Sequence, residues 1–544
     1  MKLLRVHVIA ADTCGGLLNG LDLWMRSPST EYSDFSPICL IGPNGSGKSQ
    51  FLQVLAEVFQ CIFHRCVPGE ERVFSDRRLQ FEIEYLIQPR RDDPAVHVRI
   101  ARKPGGKSNP DVVIQMKEAG SWIDCPVNAP ETIELLPQRV VGYTSGDNET
   151  LSLPFLVSRS GYADEVARCA LNDSDNKCDI PDTRLMLIDY GTHLEVLVAN
   201  LLLGTQDQHT ALLHEARLKD LHSFRCVIQL AHSAAPKAPA RRSARSKRKG
   251  IQLTDELESY IANLQRCATC YDYDRKTETY TFDFLVDDQC REAFRHFWHE
   301  TLKLYSSLHK LSMLNDLAIP KPTRERLKRD AATGHFASRL PEPQDEEKVF
   351  RFEQVNFIPN DGEEAVDYVA LSDGEHQLAQ IFGTFCMVSY PNVLFVLDEP
   401  ESHFNPQWRV KFISSILELS TNNGIRKDGS AVSQQDCILT THAPFVPSDM
   451  PRERILIFGK DAETGRVSVR LPEIETYGTT FDGILEECFG VHPPISAVPR
   501  QDINNLMQSN DPDEVKAGIE RLGNSVEKVF LADRLRQLDA EGTA

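Results

Sequence analysis

Gly42-Pro43-Asn44-Gly45-Ser46-Gly47-Lys48-Ser49 is the stretch on which the fold turns, and it fits the spacing G-x-x-x-x-G-K-[ST]. At this spacing the glycines let backbone N–H groups face inward around phosphates. The lysine reaches the outer phosphates, and the last hydroxyl ligates Mg²⁺. The flanks agree: an apolar strand, Ile38–Ile41, runs into the turn, and Ser49–Phe59 carries the apolar spacing of an amphipathic helix. Gly42, Pro43, Asn44, Gly45, Ser46, Gly47, Lys48 and Ser49 are therefore the expected nucleotide contacts, with Ser49 also a metal ligand.

Working outward, Val393-Leu394-Phe395-Val396-Leu397-Asp398-Glu399-Pro400 supplies a second half to the site. A buried strand ending in Asp398 places a carboxylate at the sheet edge where the glycine turn also lies. Asp398 is expected to hold Mg²⁺ through water, and Glu399 to orient or deprotonate an attacking water. Leu371-Ser372-Asp373-Gly374-Glu375-His376-Gln377 resembles the signature of ABC ATPases, in the form used by the SMC, RecF and RecN-like branch. In that family the serine and the helix N-terminus bind the γ phosphate of ATP held by a partner subunit. The resemblance thus implies Ser372 and Gly374 as nucleotide contacts and a homodimer closed over ATP. Asp373 departs from the family's glycine and puts a negative charge near phosphate. Thr440-Thr441-His442-Ala443-Pro444 looks like the family's switch segment, His442 contacting the γ phosphate. No glutamine stands at Ser145–Glu149, where the family's Q-loop belongs; Gln138 precedes the strand, and Asn148 is the available substitute.

These motifs, in this order, imply an α/β fold: an ABC-type P-loop ATPase head of RecF/SMC-like kind, with an antiparallel β subdomain and a helical insertion. A narrower resemblance lies in Asp398–Trp408 and Thr441–Met450, which are similar to elements of RecF-like and OLD-like ATPases. The opening Arg5–Trp24 and the segment Glu475–Ile484 resemble the PtuA family of anti-phage defence ATPases, found with Septu systems and retrons. That resemblance implies a separate HNH nuclease partner (PtuB-like), a reverse transcriptase with its RNA–DNA product as restraint, and contact with nucleic acid. The chain itself shows neither a DxD cluster on strands nor an HNH constellation, so it is expected not to cut nucleic acid; Asp511-Pro512-Asp513 stands in a turn-like context. The alternative reading is a RecF/RecN-like DNA-repair ATPase without a nuclease.

The chain divides by texture. Residues 1–150 read as the first part of the head, with strands at Leu3–Ile9, Leu79–Gln88, Ala95–Ala101, Val112–Met116 and Arg139–Tyr143. Residues 151–349 read as a mainly helical insertion, with helices at Thr192–Leu203, Asp255–Gln265 and Cys290–Leu314 and one strand-like stretch, Thr277–Leu285. Residues 350–475 return to the head, and 476–544 form a charged helical tail. Within the insertion, 234–250 is rich in Ala, Pro and Ser and carries Lys237, Arg241, Arg242, Arg245, Lys247, Arg248 and Lys249, a composition that cannot bury a core and suits a phosphate backbone. A net charge of −19 over 544 residues argues against a uniformly basic coat. No apolar run has the length of a membrane span, and the best, Leu194–Leu203, contains Glu195 and Asn200, so a cytoplasmic protein with reduced thiols is expected. Cys267-Ala268-Thr269-Cys270 lacks a second pair at zinc-finger spacing.

Overall fold

Three of the apolar runs, Ile38–Ile41, Asp436–Thr440 and Val393–Asp398, lie side by side at the centre of a seven-stranded sheet in the computed structural model of the chain. The structure describes residues 1–541 apart from 29–33, 74–77, 91–92, 106–107, 146–148, 172–179, 190, 233–247, 333–342, 363, 422–423, 427–430 and 462. The strand order is Val467–Arg470, Ile455–Lys460, Ile38–Ile41, Asp436–Thr440, Val393–Asp398, Arg139–Thr144, Leu185–Ile188. Every pairing is parallel except that of Val467–Arg470 with Ile455–Lys460. The three central strands are buried at every residue, which is why they read as continuous rather than alternating apolar runs. Parallel strands bring their C-terminal ends to one edge, so Gly42, Asp398 and Thr440 share it.

The helix Lys48–Cys66 covers one face and is itself covered by a six-stranded antiparallel sheet, Leu21–Trp24, Lys2–Ala10, Gln80–Ile87, Val96–Gly105, Ser108–Glu118 and Ser121–Cys125. This is the expected antiparallel β subdomain. The helix is buried almost all round rather than amphipathic, because it lies between two sheets. Its polar residues are satisfied internally: Gln53 Nε2 donates to Glu57 Oε1 at 2.9 Å and Thr13 Oγ1 to Glu57 Oε2 at 2.6 Å.

The other face carries the helices His193–Leu203 and Asp373–Met387 and then a second antiparallel sheet, Cys270–Asp274, Thr279–Leu285, Leu218–Gln229, Phe350–Pro359 and Val366–Asp367. The insertion is mainly helical, but a twelve-residue strand within it, Leu218–Gln229, pairs with Phe350–Pro359 across the expected boundary at 349. Register shifts at Leu218/Asp220, Leu221/Ser223 and Arg225/Cys226 break the alternation of two by which a strand is recognised in sequence. The boundary at 150 is also crossed. The helix Glu149–Ala170 packs on Lys48–Cys66, and Leu185–Ile188 is an edge strand of the central sheet. The single helix expected over Cys290–Leu314 is two, Asp288–Trp298 and Thr301–Met313, broken at His299, whose φ is +60°. The tail forms the helices Phe481–Phe489, Ala497–Gln508, Pro512–Arg521 and Val526–Glu541, the last three packed on one another, and Asp511 caps its helix by accepting from Asp513 N. Among the described residues no helix is long and apolar enough to cross a membrane.

Candidate nucleotide site

The strand Ile38–Ile41 ends at Gly42, where φ is +137° and an added Cβ would stand 2.1 Å from the Phe458 carbonyl oxygen. Only glycine lets the loop lie this close to the neighbouring strand. Pro43, Asn44 and Gly45 are exposed at the mouth of the turn, while Ser46, Gly47 and Lys48 are buried. Lys48 Nζ donates to the carbonyls of Gly42 at 2.8 Å and Pro43 at 3.1 Å, which holds the ammonium across the loop. Burial lowers it to about 8, opposed by the carboxylates of Glu399 and Asp398.

Those carboxylates arrive from the strand Val393–Asp398. Asp398 Oδ1 accepts from Ser49 Oγ at 3.0 Å and from Thr440 Oγ1 at 2.5 Å. Burial raises the Asp398 carboxyl, and the two hydroxyls work against that rise. The pair fits a hard divalent cation, since two oxygens of the right type converge at the lip of the phosphate turn. No group of three or more His, Cys, Asp or Glu among the described residues could hold a metal, so such a cation would complete its shell with phosphate oxygens and water.

Glu399 takes a left-handed backbone, φ +47°, rare for a side chain this long and concentrated at functional turns. Its N–H donates to Thr440 Oγ1 at 3.0 Å, and its Oε1 lies 3.1 Å from His442 Nε2. The hydrogen bond to His442 holds the Glu399 carboxyl below its ordinary range, and the side chain is 39% exposed. An ionised carboxylate open to water, beside a lysine and a cation-binding pair, is equipped to take a proton from water attacking a phosphate.

Ser372 caps the helix Asp373–Met387 through a reciprocal capping box. Its N–H donates to Glu375 Oε2 at 2.7 Å, and its Oγ accepts from Glu375 N at 3.4 Å. Gly374 is buried where a Cβ would meet the His403 carbonyl oxygen at 2.8 Å, so the helix start sits directly on the loop beyond Glu399. Gln377, one turn on, accepts from His403 N at 2.9 Å and donates to Ser402 Oγ at 3.2 Å. Ser372 and Asp373 are exposed, and among the described residues neither Ser372 nor Gly374 hydrogen-bonds the phosphate turn. The structure thus brings together Lys48, Ser49, Asp398, Glu399 and His442, while the helix start at Ser372 abuts the loop beyond Glu399 without such a hydrogen bond from either residue. Asn148 lies outside the described residues, as does the basic stretch through residue 247; Arg248 is engaged with Glu258 at 2.5 Å. Gln138 pairs with the Asn392 carbonyl at the opposite end of the sheet.

Sequence reasoning assigned no role to Thr440, whose single hydroxyl joins Asp398 to the Glu399 backbone. A polar β-branched residue closing an otherwise apolar strand was its signal. Residues 282–449 match the family described as "AAA domain, putative AbiEii toxin, Type IV TA system". No curated protein matches the chain. Among solved structures, the SMC head domain from Thermotoga maritima aligns at 11% identity and a TM-score of 0.31, covering 87% of this chain and 100% of that one. The α/β fold sets the glycine–lysine turn, Asp398, Glu399 and His442 on one sheet edge, the arrangement of a P-loop nucleotide site, and residues 282–449 of the chain are similar to an AAA domain.

Proposed function

We propose that this chain hydrolyses ATP with Mg²⁺, that two copies close over nucleotide as a homodimer, and that this cycle controls a separate HNH nuclease in bacterial anti-phage defence. The observation that carries the hydrolytic reading is the Glu399–His442 pair at 3.1 Å, set beside Lys48, Ser49 and Asp398. Lys48 and the backbone of Gly42–Gly47 bind the phosphates. Ser49 and Asp398 would hold Mg²⁺, which supplies charge neutralisation at the phosphate oxygens. Glu399 takes the proton of the attacking water, and His442 keeps it ionised and oriented.

Closure of two heads is supported by the exposed helix start at Ser372, a terminus whose dipole favours an anion and which, among the described residues, is not hydrogen-bonded to its own phosphate turn. The defence reading, with a PtuB-like nuclease, a reverse transcriptase with its RNA–DNA and nucleic acid as partners in the cytoplasm, is supported by the resemblance of Arg5–Trp24 and Glu475–Ile484 to the PtuA family. The description of the matched family names a toxin, which agrees in kind. A tagged Glu399→Gln chain recovered from its native cell in ATP is the test. A co-purifying HNH nuclease is the expected result. Recovery of repair proteins or bare DNA without a nuclease would replace the defence reading with a RecF/RecN-like one. Light scattering on the same variant separates the dimer question, since the mass doubles with ATP only if the heads close.

A further inference from the structure

Glu401 follows Glu399 on the same turn, where Ser402 N donates to the Glu399 carbonyl at 3.2 Å and Phe404 N to the Glu401 carbonyl at 3.0 Å. Its side chain runs inward and is 2% exposed, an unusual place for a carboxylate with no ion-pair partner among the described residues. Oε1 accepts from Thr441 Oγ1, and Oε2 has no hydrogen-bond partner among the described residues. Arg409, Glu399, Cys39 and Tyr143 are the titratable groups that face it from the surrounding elements. Burial pushes the carboxyl up to about 7. A leucine or methionine would fill the space without leaving a buried polar atom unmet, so packing alone does not account for the residue. What it does make is one bond, to the residue between Thr440 and His442.

We propose that Glu401 is a positioning residue for hydrolysis: by holding the Thr441 hydroxyl it fixes the Thr440–His442 strand end against the Glu399 turn and so keeps Glu399 and His442 in register. The inference rests on the ATPase reading above. The same turn is clamped on its far side by Gln377 of the signature helix, through Ser402 and His403. Displacement of the strand end therefore reaches both the hydrolytic pair and the helix start at Ser372.

The test is steady-state ATP hydrolysis, with nucleotide binding measured separately, on the full chain and its Glu401→Gln, Glu401→Ala, Thr441→Val and Glu401→Ala/Thr441→Val variants. Loosening a catalytic pair by a fraction of a bond length lowers kcat by about 100-fold while leaving binding alone. Glu401→Ala and Thr441→Val are each expected to lose about that factor in kcat, with KM and ATP affinity held to about threefold. The double variant is expected to be no worse than the weaker single one, since both remove one bond. Glu401→Gln retains the acceptor without the charge and is expected to restore most of kcat. Native kcat in Thr441→Val, or a loss in Glu401→Gln as deep as in Glu401→Ala, would overturn the proposal. A wild-type chain that binds ATP and never hydrolyses it would overturn the ATPase reading itself, a result distinct from either.

Discussion

Replacing Gly42 by alanine tests the phosphate turn at its tightest point. The added Cβ would stand 2.1 Å from Phe458 O, 3.1 Å from its carbonyl carbon and 3.3 Å from its nitrogen, all backbone. That strand cannot yield, because its register against Ile38–Ile41 is set by the pairs Ile455–Cys39, Leu456–Leu40 and Ile457–Ile41 in a buried sheet. The loop must move instead, by roughly 1 Å, and its exposed side at Pro43–Gly45 gives it room to do so. The penalty then falls on the phosphate cradle rather than on the fold. Displacing converging N–H donors by that much is expected to weaken ATP binding by about 100-fold, which is ~2.7 kcal/mol. Global stability drops by less than about 2 kcal/mol, the low end of overpacking effects. Gly45→Ala is the control: its φ is +74° but nothing lies within 4 Å of the new carbon, so only backbone strain of ~1 kcal/mol applies and affinity falls by no more than about tenfold. Titration with a fluorescent ATP analogue, paired with urea unfolding, reads both quantities. Native affinity in Gly42→Ala, or a larger loss in Gly45→Ala, would refute the reasoning.

Glu399→Gln is expected to bind ATP at native affinity and to lose about 10²- to 10⁴-fold in hydrolysis, read by phosphate release; a native rate would remove Glu399 from the role of base. His442→Ala takes away the hydrogen bond that depresses the Glu399 carboxyl, so the acid limb of kcat/KM should move to higher pH; an unmoved limb in a pH–rate profile would separate the two residues. Glu71 is fully buried, accepts from Ser158 Oγ at 2.6 Å and is pushed up to about 8 by burial. Because its folded value lies above the unfolded one, the stability of the neutral form is complete below about 4.5 and is lost as pH rises through about 8. Glu71→Gln should therefore match the wild type at pH 4 and exceed it by on the order of a few kcal/mol at pH 8, and parallel urea midpoints across that range would show the shift to have no such origin.

The parts that were legible from sequence are those where one local rule decides the structure. A short, β-branched apolar run bounded by turn signals, such as Val393–Leu397, reads as a strand buried on both faces, and the glycine–lysine turn is marked by its spacing. The capping box at Ser372 is visible as Ser-x-x-Glu. What escaped reading depends on partners distant in the chain. Leu218–Gln229 loses its alternation to register shifts imposed by Phe350–Pro359, so nothing local marks it as a strand. Lys48–Cys66 looks like a surface helix until a second sheet, drawn from Lys2–Ala10 and Gln80–Cys125, closes over it. Glu401 is a carboxylate that statistics place outside, and only the fold reveals that Thr441 draws it inward.

The sheet order explains why the switch segment stands between the two halves of the site. Ile38–Ile41 and Val393–Asp398 are not neighbours; Asp436–Thr440 separates them, so the two strand ends leave a gap of two strand spacings, about 10 Å, which Ser49 spans to meet Asp398 Oδ1 at 3.0 Å. The strand that opens the gap also ends inside it. Thr440 reaches sideways to Asp398 and to the Glu399 backbone, Thr441 reaches to Glu401, and His442 reaches to Glu399. Each of the three residues thus bonds to the turn that follows the neighbouring strand, and none can shift without pulling on it. The Glu399–Ser402 turn is next in line, and Gln377 on the signature helix is one hydrogen bond beyond it. On the proposed hydrolytic reading, a movement at His442 would therefore reach the Glu399 turn before the surface around Ser372.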